Sequence, residues 1–127
     1  DVVFITGDTH SSWAFEVTVD PFNQYNAKTG EGAIAVEFGV TSINSSNSNE
    51  RFPNEEVLSH EEKIVDSPIN PHLKFANLRD HGYLVLNLTR DRAEAQWHYV
   101  STLKERSSKT TLGKRLSVIS GETRLNE

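Results

Sequence analysis

Four stretches of this chain place apolar side chains at every second position, and that period constrains the fold more than any other feature. Trp13, Phe15, Val17 and Val19 alternate with Ala14, Glu16 and Thr18, and Ile34, Val36, Phe38 and Val40 alternate with Ala33, Ala35, Glu37 and Gly39. Leu84, Leu86 and Leu88 share one face of a third stretch, and Ala93, Ala95, Trp97 and Tyr99 share one face of a fourth. Successive side chains of a strand point to opposite sides, so each stretch reads as a strand with one buried face. Asp20-Pro21 and the turn formers of FNQYNAKTGEG lie between the first two, which predicts an antiparallel hairpin with a long loop. Thr89-Arg90-Asp91 turns the chain between the last two.

One segment follows another period. NEEVLSHEEKIVDS, residues 54–67, spaces Val57, Leu58, Ile64 and Val65 as a helix does, with Asn54 expected to cap its start and Pro68 to end it. TSINSSNSN (41–49) reads as a polar loop and SSKTTLGKR (107–115) as a loose one, with a final strand around Leu116, Val118 and Ile119. Residues 104–127 are thus expected to be a loose tail carrying one strand. No internal repeat divides the chain, so residues 1–127 form one segment, a β-rich portion of an α/β or α+β protein.

Composition narrows the functional classes. With 127 residues, 35% hydrophobic and 24% charged, the chain suits one folded domain or part of one. No apolar run approaches the roughly 18 residues that cross a bilayer as a helix. A formal charge of -5 disfavours nucleic acid as a partner, and the lack of cysteine removes disulfides and thiolate ligands. The chain also contains no methionine and opens on an apolar strand, which predicts a cleaved or excised piece of something longer.

The chemistry concentrates in ITGDTHSSW, residues 5–13. Residues 2–5 are apolar on consecutive positions, the pattern of a strand covered on both faces. The strand runs into Gly7, and then Asp8 and His10 stand one residue apart. Gly7 permits a sharp turn, so a carboxylate and an imidazole can enter one cavity at the end of a sheet, where open α/β folds bind ligands. Such a pair suits calcium, iron, manganese or zinc. The competing reading is that Asp8 caps the turn and His10 bonds a nearby carbonyl.

NPHLKF (70–75) is the second candidate: Asn70, His72 and Lys74 would share a strand face, able to contact a phosphate or support metal ligands, or would simply be a polar strand edge. His81 reads as a turn residue, His98 as solvated and His60 as surface decoration of the helix. No G-x-S-x-G elbow, P-loop or G-x-G-x-x-G is present.

VVFITGDTHSSWAFEV, VEFGVTSI and NPHLKFANLRDHGYLVLNLTRDRAEAQWHYVSTL, in this order, closely resemble the carboxyl-terminal part of the alkaline phosphatase D family, the PhoD-like metallophosphatases. The resemblance runs from Val2 to about Leu103. It implies the carboxyl-terminal half of a calcineurin-like metallophosphoesterase, a β-sandwich flanked by helices. It also implies an exported enzyme, secreted or periplasmic, that hydrolyses phosphate mono- and diesters by attack of a metal-bound hydroxide, with iron and calcium as cofactors. Asp8 and His10 then look like metal-site residues, and Asn70 and His72 fall in a family segment without an assigned role. The family's other ligands, further Gly-Asp aspartates, an asparagine and a cysteine, belong to its amino-terminal half and have no counterpart here. The expected partner is therefore that amino-terminal portion, without which the chain is expected to be inactive. The rival expectation is a non-catalytic extracellular β-sandwich module that binds through Trp13, Tyr25 or Tyr83.

Overall fold

The structure, a computed structural model, describes all of residues 1–127. Seven strands form two sheets. The first takes β1 (Val3–Thr6), β2 (Ser12–Thr18), β3 (Ala33–Gly39) and β4 (Leu73–Asn77) in the order β1-β3-β2-β4. The second takes β5 (Gly82–Leu88), β6 (Arg92–Val100) and β7 (Thr110–Ile119) in chain order. A 3-10 turn at Ser48–Glu50 and one helix, α1 (Asn54–Val65), fill the connection between β3 and β4.

The alternation decides how the sheets meet. Ala14, Val36 and Phe38 of the first sheet and Ala93, Ala95, Trp97, Tyr99, Leu116 and Val118 of the second form one core cluster, so the sheets pack face to face. Trp97 sits at its centre, fully buried, with the rings of Phe38 and Phe75 meeting it edge-on at centroid distances of 5.8 and 5.1 Å. Its indole N–H crosses the sandwich to the carbonyl of Gly39 at 2.8 Å, so this buried donor is paired. Leu84 and Leu86 pack against this core, whereas Leu88, on the same face, runs past its end and is exposed.

The predicted hairpin is present: β2 and β3 pair antiparallel, with Trp13 opposite Gly39 and Phe15 opposite Glu37. Several expectations need correction. Residues 2–5 are not covered on both faces: β1 is an edge strand, parallel to β3 alone, and Val2, Phe4 and Ile5 are 53%, 48% and 55% exposed. Pro53, not Asn54, occupies the cap position of α1, and no side chain caps it. The stretch 107–115 is not loose throughout, because β7 begins at Thr110 and pairs with β6 along its length. Asn70 and His72 do not share a strand face with Lys74, since β4 starts only at Leu73, after turns closed by Asn70 N–H to Ser67 and Leu73 N–H to Asn70. No helix is long and apolar enough to cross a membrane.

Candidate metal centre

The carboxyl ends of β1, β3 and β4 lie at one end of the first sheet, because β1 runs parallel to β3 and both β3 and β4 run antiparallel to β2. Thr6 pairs with Gly39, and the Val40 N–H reaches the Thr6 carbonyl at 2.8 Å, so β1 and β3 finish together. Gly7 then turns the chain beside Val40: a Cβ there would stand 3.3 Å from the Val40 Cγ1, which favours glycine. The His10 N–H closes the turn on the Gly7 carbonyl at 3.4 Å. His10 has φ 57°, and it is the one residue other than glycine with positive φ. For an L-residue that conformation costs about 1–2 kcal/mol.

Asp8 is exposed and His10 half-buried. Neither side chain has a hydrogen-bond partner among the protein's groups. Asp8 does not cap the turn, and the His10 imidazole does not bond a carbonyl, so the competing sequence reading finds no contact to support it. What holds the turn is its surroundings. The Thr9 hydroxyl accepts from the Trp13 indole N–H at 2.9 Å, and the Ser11 hydroxyl reaches the Thr9 carbonyl at 3.4 Å. The Thr41 hydroxyl lies 3.1 Å from the His10 carbonyl and 2.8 Å from that of Asp80.

Beside the turn lies a polar network that the sequence did not announce. His81, read as an ordinary turn residue, is buried: its Nε2 stands 2.9 Å from Glu50 Oε1 and its Nδ1 3.3 Å from the Ser42 hydroxyl. The Asn47 backbone N–H, and then His81, hold the Glu50 carboxyl below the usual range. Glu61 of α1 is also buried, accepting from the Leu78 N–H at 2.7 Å and from Arg79 Nε at 3.0 Å. The contacts of His81 and Glu61 join residues 17 to 39 positions apart, and no local spacing encodes them.

Asn70 and His72 are not brought to this end. The His72 carbonyl pairs with the Glu16 N–H, so β2 runs between His72 and the turn, roughly 13 Å of strand. His72 lies against Phe15 with ring centroids 5.6 Å apart, its Nδ1 is buried without a partner, and burial followed by the charge of Lys74 pushes its pKa down. The three aromatics of the rival reading also find places: Trp13 is half-buried on Thr9, the Tyr25 hydroxyl donates to Glu16, and Tyr83 stacks on His98 with ring planes 7° apart. His98 is thereby half-buried instead of solvated. Nowhere do three or more His, Asp or Glu side chains converge as a metal-binding set.

Residues 1–97, from β1 through most of β6 and including Asp8 and His10, match the model of the PhoD-like phosphatases. The chain belongs to the PhoD-like phosphatase family. No curated protein matches it. A solved structure of PhoD superposes on 98% of this PhoD-like chain with a TM-score of 0.67 and 24% identity, which establishes the likeness of fold. The chain spans only 22% of that PhoD chain.

Proposed function

We propose that the chain is the carboxyl-terminal portion of a metal-dependent phosphoesterase acting on phosphate mono- and diesters, and that Asp8 and His10 are two of its metal ligands. The observation that carries this reading is the turn itself: a carboxylate and an imidazole without protein partners, on backbone strained at His10, at the strand end of a PhoD-like chain. Strain of this kind persists where surroundings over-determine it, and it collects at functional sites.

The donor set fits a cation. An anionic oxygen and an imidazole nitrogen, both with free lone pairs, suit hard or borderline ions; the family resemblance favours iron and calcium. Two donors leave most coordination positions to be filled from elsewhere, and the amino-terminal portion of the same enzyme is the proposed source. Bound there, the cations would supply positive charge opposite the phosphate oxygens and activate the attacking nucleophile. This chain's share is to offer one carboxylate oxygen and one imidazole nitrogen from the Gly7–His10 turn. Asn70 and His72 remain members of the family segment, with no substrate contact assigned. Export of the complete enzyme is part of the proposal on the same resemblance. The exposed apolar edge of β1 supports a missing partner, since Phe4 and Ile5 face solvent where a further strand would cover them.

The test uses the complete enzyme and the isolated chain side by side. Asp8→Ala and His10→Ala in the complete enzyme should each strip metal and lower hydrolysis of p-nitrophenyl phosphate by a hundredfold or more, on the order of the loss of a metal ligand. The isolated chain should show only the background of free metal. Retained metal in both variants, or enzyme-like turnover by the chain alone, refutes the reading.

A further inference from the structure

We propose that Thr41 and Trp13 are positioning residues that clamp the Gly7–His10 turn from two sides and so fix where Asp8 and His10 point. The inference rests on the reading of those two residues as ligands and adds the device that aims them.

Thr41 arrives at the turn because the β1–β3 ladder continues one step past β3, through the Val40 N–H to the Thr6 carbonyl. Its side chain is buried, and its one hydroxyl proton has two acceptors in reach: the His10 carbonyl at 3.1 Å and the Asp80 carbonyl at 2.8 Å. Asp80 is itself immobilised. Its N–H donates to Asn77 Oδ1, and Asn77 Nδ2 donates to its carboxylate at 2.8 Å. Shared between the His10 and Asp80 carbonyls, the Thr41 hydroxyl proton ties the strained residue to the Asn77–Asp80 loop. From the other side, the indole N–H of Trp13 holds the Thr9 hydroxyl at 2.9 Å, between the two proposed ligands. Trp13 cannot swing freely, for its ring stacks on Phe15 at 6.0 Å and its Cβ lies over Gly39, where an added Cβ would come within 3.0 Å. Ligands with no hydrogen bond of their own depend on such backbone support to keep their geometry, and outer partners of metal ligands matter for that reason.

Threonine offers a clean separation of roles. Thr41→Val keeps the shape and deletes the hydroxyl, while Thr41→Ser keeps the hydroxyl and deletes a methyl. In the complete enzyme, titrated with Mn2+ and read by electron paramagnetic resonance, Thr41→Val and Trp13→Phe should each weaken binding about 10- to 100-fold, and Thr41→Ser should bind as the parent does. A packing role predicts the reverse order for the two Thr41 variants. Unchanged Mn2+ affinity in Thr41→Val, or equal loss in Thr41→Ser, overturns the proposal, as does an unchanged Trp13→Phe should Thr41→Val not fold. His10→Ala in the same titration checks the ligand assignment by itself: full Mn2+ binding there refutes the assignment whatever the clamp variants do.

Discussion

His10 concentrates the tension between folding and chemistry in this chain. Its left-handed backbone is held by a 3.4 Å turn bond and by Thr41, with no return from its own side chain. Replacing it with glycine should relieve about 1–2 kcal/mol of strain and cost about 0.5–1 kcal/mol in chain entropy. Urea unfolding of His10→Gly should therefore show a net gain of up to about 1.5 kcal/mol, and a loss would mean the turn is unstrained. His72 gives a second prediction. Its folded pKa lies below the usual 6.5, so between the two values the unfolded chain binds the proton and the folded chain does not. This contribution is complete above pH 6.5 and is lost as pH falls below it, through the folded value. His72→Phe should flatten the stability profile in that window. The identity of Asp8 and His10 as candidates was legible because glycine, acid and imidazole are adjacent in sequence. The roles of Thr41, His81 and Glu50 were not, because their partners lie 31 to 39 residues away.

At the scale of elements, period-two alternation located β2, β3, β5 and β6, since each has one face in the shared core. It failed at the start of β7 because that strand is specified by pairing, not by pattern: Thr110, Thr111 and Leu112 are exposed and show no buried face, yet they continue the ladder with β6. A register shift opposite Trp97 and His98 leaves Gly113 between paired residues, with the Tyr99 ring laid over it. A Cβ on Gly113 would lie 2.2 Å from Tyr99 Cε2, and Tyr99 is buried with its hydroxyl on Ser12 at 3.0 Å. Gly113→Ala should therefore cost about 2–4 kcal/mol, the sum of overpacking and a broken buried hydrogen bond. Thermal unfolding monitored by near-UV circular dichroism checks it. A variant as stable as the parent would show that the ring can move aside freely.

For the whole molecule, the sandwich follows from alternation, and its open side follows from another pattern. Residues 2–5 carry the consecutive apolar signature of a strand covered on both faces, and the chain supplies a neighbour on one edge only. A parallel edge with large apolar side chains invites another strand. The isolated chain should accordingly self-associate, and Phe4→Lys should shift its sedimentation toward monomer while weakening binding to the proposed amino-terminal partner. A parent chain that sediments as a monomer at high concentration would argue that this edge needs no cover.

The indole–carbonyl bond from Trp97 to Gly39 bears on how such a complex would come together. Gly39 faces Thr6, the last residue before the turn, so the second sheet is keyed to the first one step from the proposed ligands. Sliding one layer over the other would strand a donor in a dry interior where no substitute acceptor waits. Shear inside the sandwich is thereby disfavoured, and the proposed amino-terminal portion should meet a body already in its final shape, without internal rearrangement of this chain.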